Sequence, residues 1–377
     1  MLKVISDDKI PFLKGVIEPY ATIEYLPGAK ISADDVREAD AIFTRTRTKC
    51  NEALLKNSRV KLIATATIGY DHIDTDYCDA VGIRWVNAPG CNSWSVQQYI
   101  TAVLATLVFR RGLKFTDLTL GVIGVGNVGS KVASAAKALG MRVLLNDPPR
   151  AEREGAEAFV SLDSLLAESD IVTCHVPLEK AGPYATYHLA SDAFFARMKT
   201  GAVFINSSRG AVADNAALMQ AFNNGKLSDY VLDVWEGEPT PDAELLEKAF
   251  IGTPHIAGYS SDGKANGTAA CVREFSTFFG VDALKDWYPE SIPLPPMPQE
   301  YALDGTGKNI EQIIYEAVTY TYPIDEDSER LKTSPGTFEE QRGKYWVRRE
   351  FKNFIIRPLN VNEAVLDSLA GIGFKIG

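Results

Sequence analysis

The stretch that decides the fold is TLGVIGVGNVGSKVASAAKALGMRVLLND, residues 119–147. An apolar run leads into Gly124, Gly126 and Gly129, an Ala-rich segment follows, and a second apolar run ends in Asp147. This reads as strand, G-x-G-x-x-G turn, helix and strand. The bare glycine backbone lets a pyrophosphate approach main-chain N–H groups at the positive end of the helix. A glycine turn by itself means little. A strand before it, a helix after it and an acid about 20 residues on are the context of a dinucleotide fingerprint. Gly124, Gly126, Asn127, Val128 and Gly129 are therefore candidate cofactor contacts. Asp147 is expected to accept hydrogen bonds from the adenosine ribose and to repel a 2′-phosphate, favouring NAD over NADP. Pro148 and Pro149, directly after it, offer no backbone donors to such a phosphate.

Outward from this stretch, short apolar runs alternate with helical patterns. LKVIS, AIFTR and VKLIATAT precede it; DIVTCHVP, AVFINSS and YVLDVW follow. Strand and helix in alternation predict right-handed crossovers and parallel sheets with helices on both faces. A first α/β domain is expected to about residue 93, and an apolar helix from Trp94 leads into the second sheet. From Trp287, WYPESIPLPPMPQEY carries five prolines between 289 and 298 and reads as an extended arm. Beyond it, Ile310, Ile313, Ile314, Ala317 and Val318 repeat at helical spacing, FEEQRGKYWVRREF looks helical, and FIIRP and GFKIG look like strands. A small third α/β domain is the expectation for residues 287–377.

A chain of 377 residues exceeds one ordinary core. The net charge of −10 argues against nucleic acid or an anionic membrane as the main partner. Five scattered cysteines with no C-x-x-C suggest neither a disulfide framework nor a metal site, and a reducing, cytoplasmic compartment is expected. MLKVISDD lacks the pattern of a secretory leader. YITAVLATLVF, residues 99–109, is far shorter than the roughly 20 residues a membrane span needs. It reads as a buried helix.

Three residues just past expected strand ends supply a chemistry: Arg209 in FINSSRGAVAD, Glu238 in DVWEGEP and His255 in GTPHIAGYS. Oxidising an alcohol beside a carboxylate needs a base for the hydroxyl proton, and imidazole suits neutral pH. A carboxylate such as Glu238 can hold the ring in one tautomer and stabilise its charged form. A planar guanidinium such as Arg209 can grip a substrate carboxylate.

With GVIGVGNVGS, HVPL at 175–178, INSSRGAVAD, LDVWEGEP and TPHIAGYS in this order and spacing, the sequence resembles the D-2-hydroxyacid dehydrogenase family. The resemblance implies two Rossmann-like doubly wound parallel-sheet domains plus the small C-terminal α/β domain. A substrate domain would comprise 1–93 and 259–286, an NAD-binding domain 94–258, and residues 287–377 with the proline-rich arm would form a dimerisation domain of a homodimer. It implies Arg209, Glu238 and His255 as catalytic residues. The cofactor contacts it adds are His175 and Val176 in the HVPL loop, Ser207, Ser208, Asp233 and Gly258. Thr46 stands where the family's substrate loop is expected to carry a serine, and Arg45, Thr67 just past a strand end, and Tyr259 are further candidate substrate contacts.

The expected substrate is a small phosphorylated 2-hydroxy acid. In FTRTRTKC, Arg45, Arg47 and Lys49 would share one face if the segment were extended, a basic patch on an acidic protein. A solvated loop is the alternative for Arg47 and Lys49. Tyr259 reads as a substrate contact or a buried aromatic, His175 as a cofactor neighbour or a backbone anchor, and His72 and His188 as structural. Arg348 or Arg349, in the basic cluster with Arg342 and Lys344, is expected to reach a neighbouring subunit's phosphate site. Rival functions are oxidation of another 2-hydroxy acid, such as 3-phosphoglycerate, or non-catalytic NAD sensing on the same fold.

Overall fold

The computed structural model describes residues 1–377, which divide into two compact units, Met1–Asn92 with Ser260–Leu294 and Ser93–Tyr259 with Pro295–Gly377. In the first unit the strands β1 (Leu2–Asp7), β2 (Ala21–Leu26), β3 (Ala41–Thr44), β4 (Leu62–Thr65) and β5 (Arg84–Val86) form one parallel sheet. Their order is β2-β1-β3-β4-β5. Every residue of β3 and β4 is buried, which is why they read as unbroken apolar runs. The chain returns to this sheet as the helix Ser261–Phe279, whose Cys271, Val272 and Phe275 share a core with Val4, Phe43, Leu62 and Ala64. Gly267 on that helix lies so close to the Ala66 backbone that a Cβ would collide with the Ala66 carbonyl.

In the second unit, β6 (Thr119–Ile123), β7 (Arg142–Asn146), β8 (Ile171–Cys174), β9 (Ala202–Asn206), β10 (Leu227–Leu232) and β11 (Ile251–Gly252) make a parallel sheet. The order is β11-β10-β9-β8-β6-β7. A small parallel sheet follows, β12 (Glu300–Asp304), β13 (Ile355–Leu359) and β14 (Lys375–Ile376), with β13 central. This is the parallel α/β architecture expected. The 99–109 run lies inside the helix Ser93–Arg111, which is buried all round from Ser95 to Val108. Its Ile100, Val103 and Leu107 pack in one core with Leu120, Val122 and Ile205 of the six-stranded sheet. Ile313, Ile314, Ala317 and Val318 of the helix Ile310–Thr321 belong to that same core. Residues 295–377 thus fold as part of the unit that carries the glycine turn.

Some elements escaped the pattern. β2 and β12 are mostly exposed or half-buried, with one buried residue each, and β11 has only two residues, so none gives an apolar run. The expected helix over FEEQRGKYWVRREF is overturned beyond its first turns. It stops at Phe338–Gly343, and residues 344–350 run irregularly because Arg348, Arg349 and Glu350 are buried there. Their side chains, not a helical ladder, hold the segment.

Candidate active site

Strand order reverses at β6, which lies between β7 and β8, so the turn after its carboxyl end sits at the sheet's switch point. Gly124 there has φ 83°, and a Cβ on it would strike the His175 carbonyl and the Val176 side chain. A Cβ on Gly129 would run into the Gly124 carbonyl, so the third glycine seats the helix against the turn. Gly126 caps the helix Asn127–Ala138 and has open space about it. Asn127 and Val128 open that helix, presenting free N–H groups at its positive end.

Asp147, at the end of β7, accepts from the Val125 N–H at 2.8 Å and the Arg150 N–H at 3.1 Å. These bonds orient the carboxylate beside the turn. Arg150, a cation beside Asp147, is taken up by Glu154 at 2.6 Å and by the Val125 carbonyl. The Ser207 hydroxyl after β9 is buried without a hydrogen-bond partner in the protein. A cradle only glycine permits, an oriented acid and an orphaned hydroxyl together fit a dinucleotide. His175 follows β8, and burial pushes it down to about 3, so it is neutral and shares a 3.0 Å hydrogen bond with Thr173.

The loops after β10 and β11 bring Glu238 and His255 together, with His255 Nδ1 2.8 Å from Glu238 Oε2. Glu238 Oε1 also accepts from the Trp235 N–H at 2.9 Å. Burial pushes Glu238 up, but the bond and charge of His255, the Trp235 amide and Arg342 outweigh it and hold the carboxyl below its ordinary value. A carboxylate can only accept, so Nδ1 carries the proton and Nε2, which makes no bond within the protein, presents a lone pair. His255 has φ 55°, a region costly for any residue but glycine.

Asp233 shows what enforces that backbone. It is 1% exposed, and its carboxylate accepts from Thr253 Oγ1 at 2.6 Å, the Ile256 N–H at 2.7 Å and the Ala257 N–H at 2.9 Å. The His255 N–H donates to its carbonyl at 2.7 Å. Asp233, expected as a cofactor contact, therefore has both oxygens engaged by the loop that bears His255 and Gly258. Tyr99 joins Thr253 at 2.8 Å, and the Trp235 indole donates to the Thr253 carbonyl at 2.9 Å.

Arg209 follows β9 in a loop set by Asn206, whose side chain accepts from Ser208 N–H at 3.0 Å and Ser208 Oγ at 2.8 Å and donates to the Arg209 carbonyl at 2.9 Å. One arm of the Arg209 guanidinium donates to the Ser208 carbonyl at 2.8 Å. Arg209, Glu238 and His255 thus follow β9, β10 and β11, three successive strands of one parallel sheet.

In the first unit, strand order reverses between β1 and β3. Arg45 stands just after β3 and donates to the Lys9 carbonyl after β1 at 3.1 Å. Thr65 Oγ1 donates to the Arg45 carbonyl at 2.9 Å and meets Thr67 Oγ1 at 2.8 Å, and Thr67 donates to the Gly69 carbonyl at 2.8 Å. The three-cation face does not form. β3 ends at Thr44, and Thr46, Arg47 and Lys49 lie exposed in a loop with no strand alternation.

The C-terminal segment supplied what the sequence did not disclose. Arg348, expected to reach another subunit, is instead wholly buried in its own chain. It donates to the Ala257 carbonyl at 2.5 Å and lies 4.4 Å from the Tyr322 ring centre. Arg349 is 8% exposed and donates to Asn353 at 2.8 Å. Tyr259 packs edge-on against Tyr345, and the Arg342 guanidinium lies 5.4 Å over the Tyr259 ring. The only sequence signal was the basic cluster itself.

The profile described as D-isomer specific 2-hydroxyacid dehydrogenase, NAD binding domain, matches residues 97–257. An erythronate-4-phosphate dehydrogenase of Bacteroides fragilis is 50% identical over 351 residues, covering 93% of this chain and 97% of that protein. One of Porphyromonas gingivalis is 40% identical over 374 residues, 99% of this chain and 100% of its own length. Among solved structures, the D-lactate dehydrogenase of Aquifex aeolicus complexed with NAD and lactic acid superposes with a TM-score of 0.61 at 29% identity, covering 75% of this chain and 97% of that one.

Proposed function

This chain belongs to the D-isomer specific 2-hydroxyacid dehydrogenase family and, within it, to the erythronate-4-phosphate dehydrogenases, and we propose that it oxidises 4-phospho-D-erythronate to 3-hydroxy-2-oxo-4-phosphobutanoate, a step of pyridoxal 5′-phosphate biosynthesis. The observation that carries this reading is the 2.8 Å His255–Glu238 pair with its unengaged Nε2, in the same sheet as the glycine cradle. NAD, when bound, supplies the acceptor for the hydride leaving C2. His255 Nε2 takes the C2 hydroxyl proton, and Glu238 stabilises the imidazolium that results. Arg209, positioned by the Asn206 loop, binds the substrate carboxylate and polarises the reacting oxygen.

Ser207, Ser208, His175, Val176, Asp147 and Gly258 are proposed to surround the cofactor, and Arg45, Thr46, Thr67 and Tyr259 to contact the substrate. Joining of Arg45 and Thr67 through Thr65 at a sheet switch point supports that assignment. We take the protein to be a cytoplasmic homodimer joined through residues 287–377, where Ile310, Leu359 and Ile376 are exposed. Sedimentation would give its mass. The deciding experiment follows NADH fluorescence with purified protein and 4-phosphoerythronate, beside 3-phosphoglycerate, D-lactate and D-glycerate. Turnover of another acid and none of 4-phosphoerythronate would sink the assignment.

A further inference from the structure

Arg342 has no assigned role, yet its surroundings are unusual for a side chain that ends a six-residue helix, Phe338–Gly343. Its side chain is 15% exposed, and its guanidinium lies 5.4 Å over the ring of Tyr259 and 5.9 Å over that of Phe338. Nη1 donates to Glu339 at 3.0 Å, whereas Nε is buried with no acceptor in the protein. Glu339 is 44% exposed, so its pairing with Arg342 is partly screened. Tyr259 stands four residues after His255, and the charge of Arg342 is felt at Glu238. A largely desolvated guanidinium with an N–H left over is costly unless an acceptor meets it. Arg209 already faces a carboxylate in the proposed reaction, which leaves the substrate's phosphate as the anion without a buried cation.

We infer that Arg342, stacked on Tyr259, recognises the phosphate of the substrate and sets the preference for a phosphorylated acid over the same acid without phosphate. This rests on the reading of the protein as a 4-phosphoerythronate dehydrogenase. It makes the C-terminal segment a source of substrate specificity within its own chain. The Tyr259 ring restrains the orientation of the planar guanidinium, so its fork is ordered before the dianion arrives. Arginine suits this place because its planar donors match phosphate oxygens two at a time.

The test compares kcat/KM for 4-phosphoerythronate with that for D-erythronate in the full chain, wild type and Arg342→Gln. Loss of a charge-assisted pair should cut the ratio of the two by about tenfold to a hundredfold. NADH binding, followed by fluorescence, checks that the variant is folded. Arg342→Lys, which keeps the charge and loses the fork, should cut the ratio by a smaller factor and serves if the glutamine variant does not bind NADH. An unchanged ratio in a variant that binds NADH overturns the inference while leaving the function standing. A wild type inactive on 4-phosphoerythronate but active on another acid instead overturns the function, and the phosphate role with it.

Discussion

Two histidine–glutamate pairs hang on one short stretch, DVWEGE. Glu236 bonds His188 Nε2 at 2.7 Å, and Glu238 bonds His255 Nδ1 at 2.8 Å. The two rings are alike in exposure, 30% and 33%, and both residues have positive φ, 48° and 55°. Neither burial nor backbone strain separates them. The difference is in the second ring nitrogen. His188 Nδ1 faces Asp214 at 3.5 Å, while Glu236 also accepts from the Asn215 N–H at 3.2 Å, so this ring is enclosed by carboxylates and ties loops together. His255 keeps Nε2 unengaged. A carboxylate partner orients a histidine; a spare nitrogen makes it a base.

That contrast is most exposed to refutation by replacing the rings. His255→Asn should lower kcat on the order of 10²–10⁴-fold while NADH binds as before, whereas His188→Asn should leave kcat within a few-fold, by steady-state kinetics. Equal losses would erase the distinction. Replacing the acids comes next: Glu238→Gln, which disrupts the tautomer and cannot stabilise the imidazolium, should cost on the order of 10²-fold in kcat. Glu236→Gln should mainly lower the thermal midpoint. A stability loss with full kcat in Glu238→Gln would show that the two pairs share a structural role.

Thr253→Val sharpens the comparison from the backbone side. It removes the 2.6 Å bond to buried Asp233 and the link to Tyr99, and should lower unfolding free energy by about 1–2 kcal/mol in urea denaturation. A loss of kcat in the folded variant would follow from a loosened His255.

The remaining two histidines have no carboxylate hydrogen bond and give the smallest effect near neutrality. Burial pushes His72 down to about 4 and His175 down to about 3 from an ordinary 6.5. As pH falls below 6.5 the unfolded chain takes protons that the folded chain refuses, so stability should decline through the window from 6.5 to about 3. Glu238, held below 4.5, adds its own loss only once pH drops under that value, because the unfolded carboxyl is then the first to be protonated. Urea midpoints at pH 7.5 and about 5 should differ less in a His72→Gln, His175→Gln double variant. An unchanged difference would mean that other groups set the acid limb.

Much of the site could be read from the chain because each strand end carries its own short signature. The glycines at 124, 126 and 129, Arg209 and Glu238 each follow an apolar run, and His255 follows the two-residue β11 in its own TPH signature. Arg209, Glu238 and His255 fall at the same edge of one sheet because β9, β10 and β11 are parallel neighbours. Arg342 and Arg348 were illegible for the opposite reason. Arg342 stands in the last turn of a six-residue helix and Arg348 in the irregular segment after it, and their neighbours, Tyr259 and Ala257, are more than 80 residues away in sequence. Tertiary placement of an irregular segment leaves no periodicity to read. The alternating cations after Thr44 failed similarly, since alternation signifies a face only while the strand continues.

The helix Ser93–Arg111 carries a consequence for how the protein is made. It packs against the helix that carries Ile313, Ile314 and Ala317, residues that leave the ribosome some 200 residues after it. Until then the nascent sheet and helix display bare hydrocarbon to solvent, an invitation to chaperones or to premature association. Shortening the chain before residue 310 would make that transient exposure permanent.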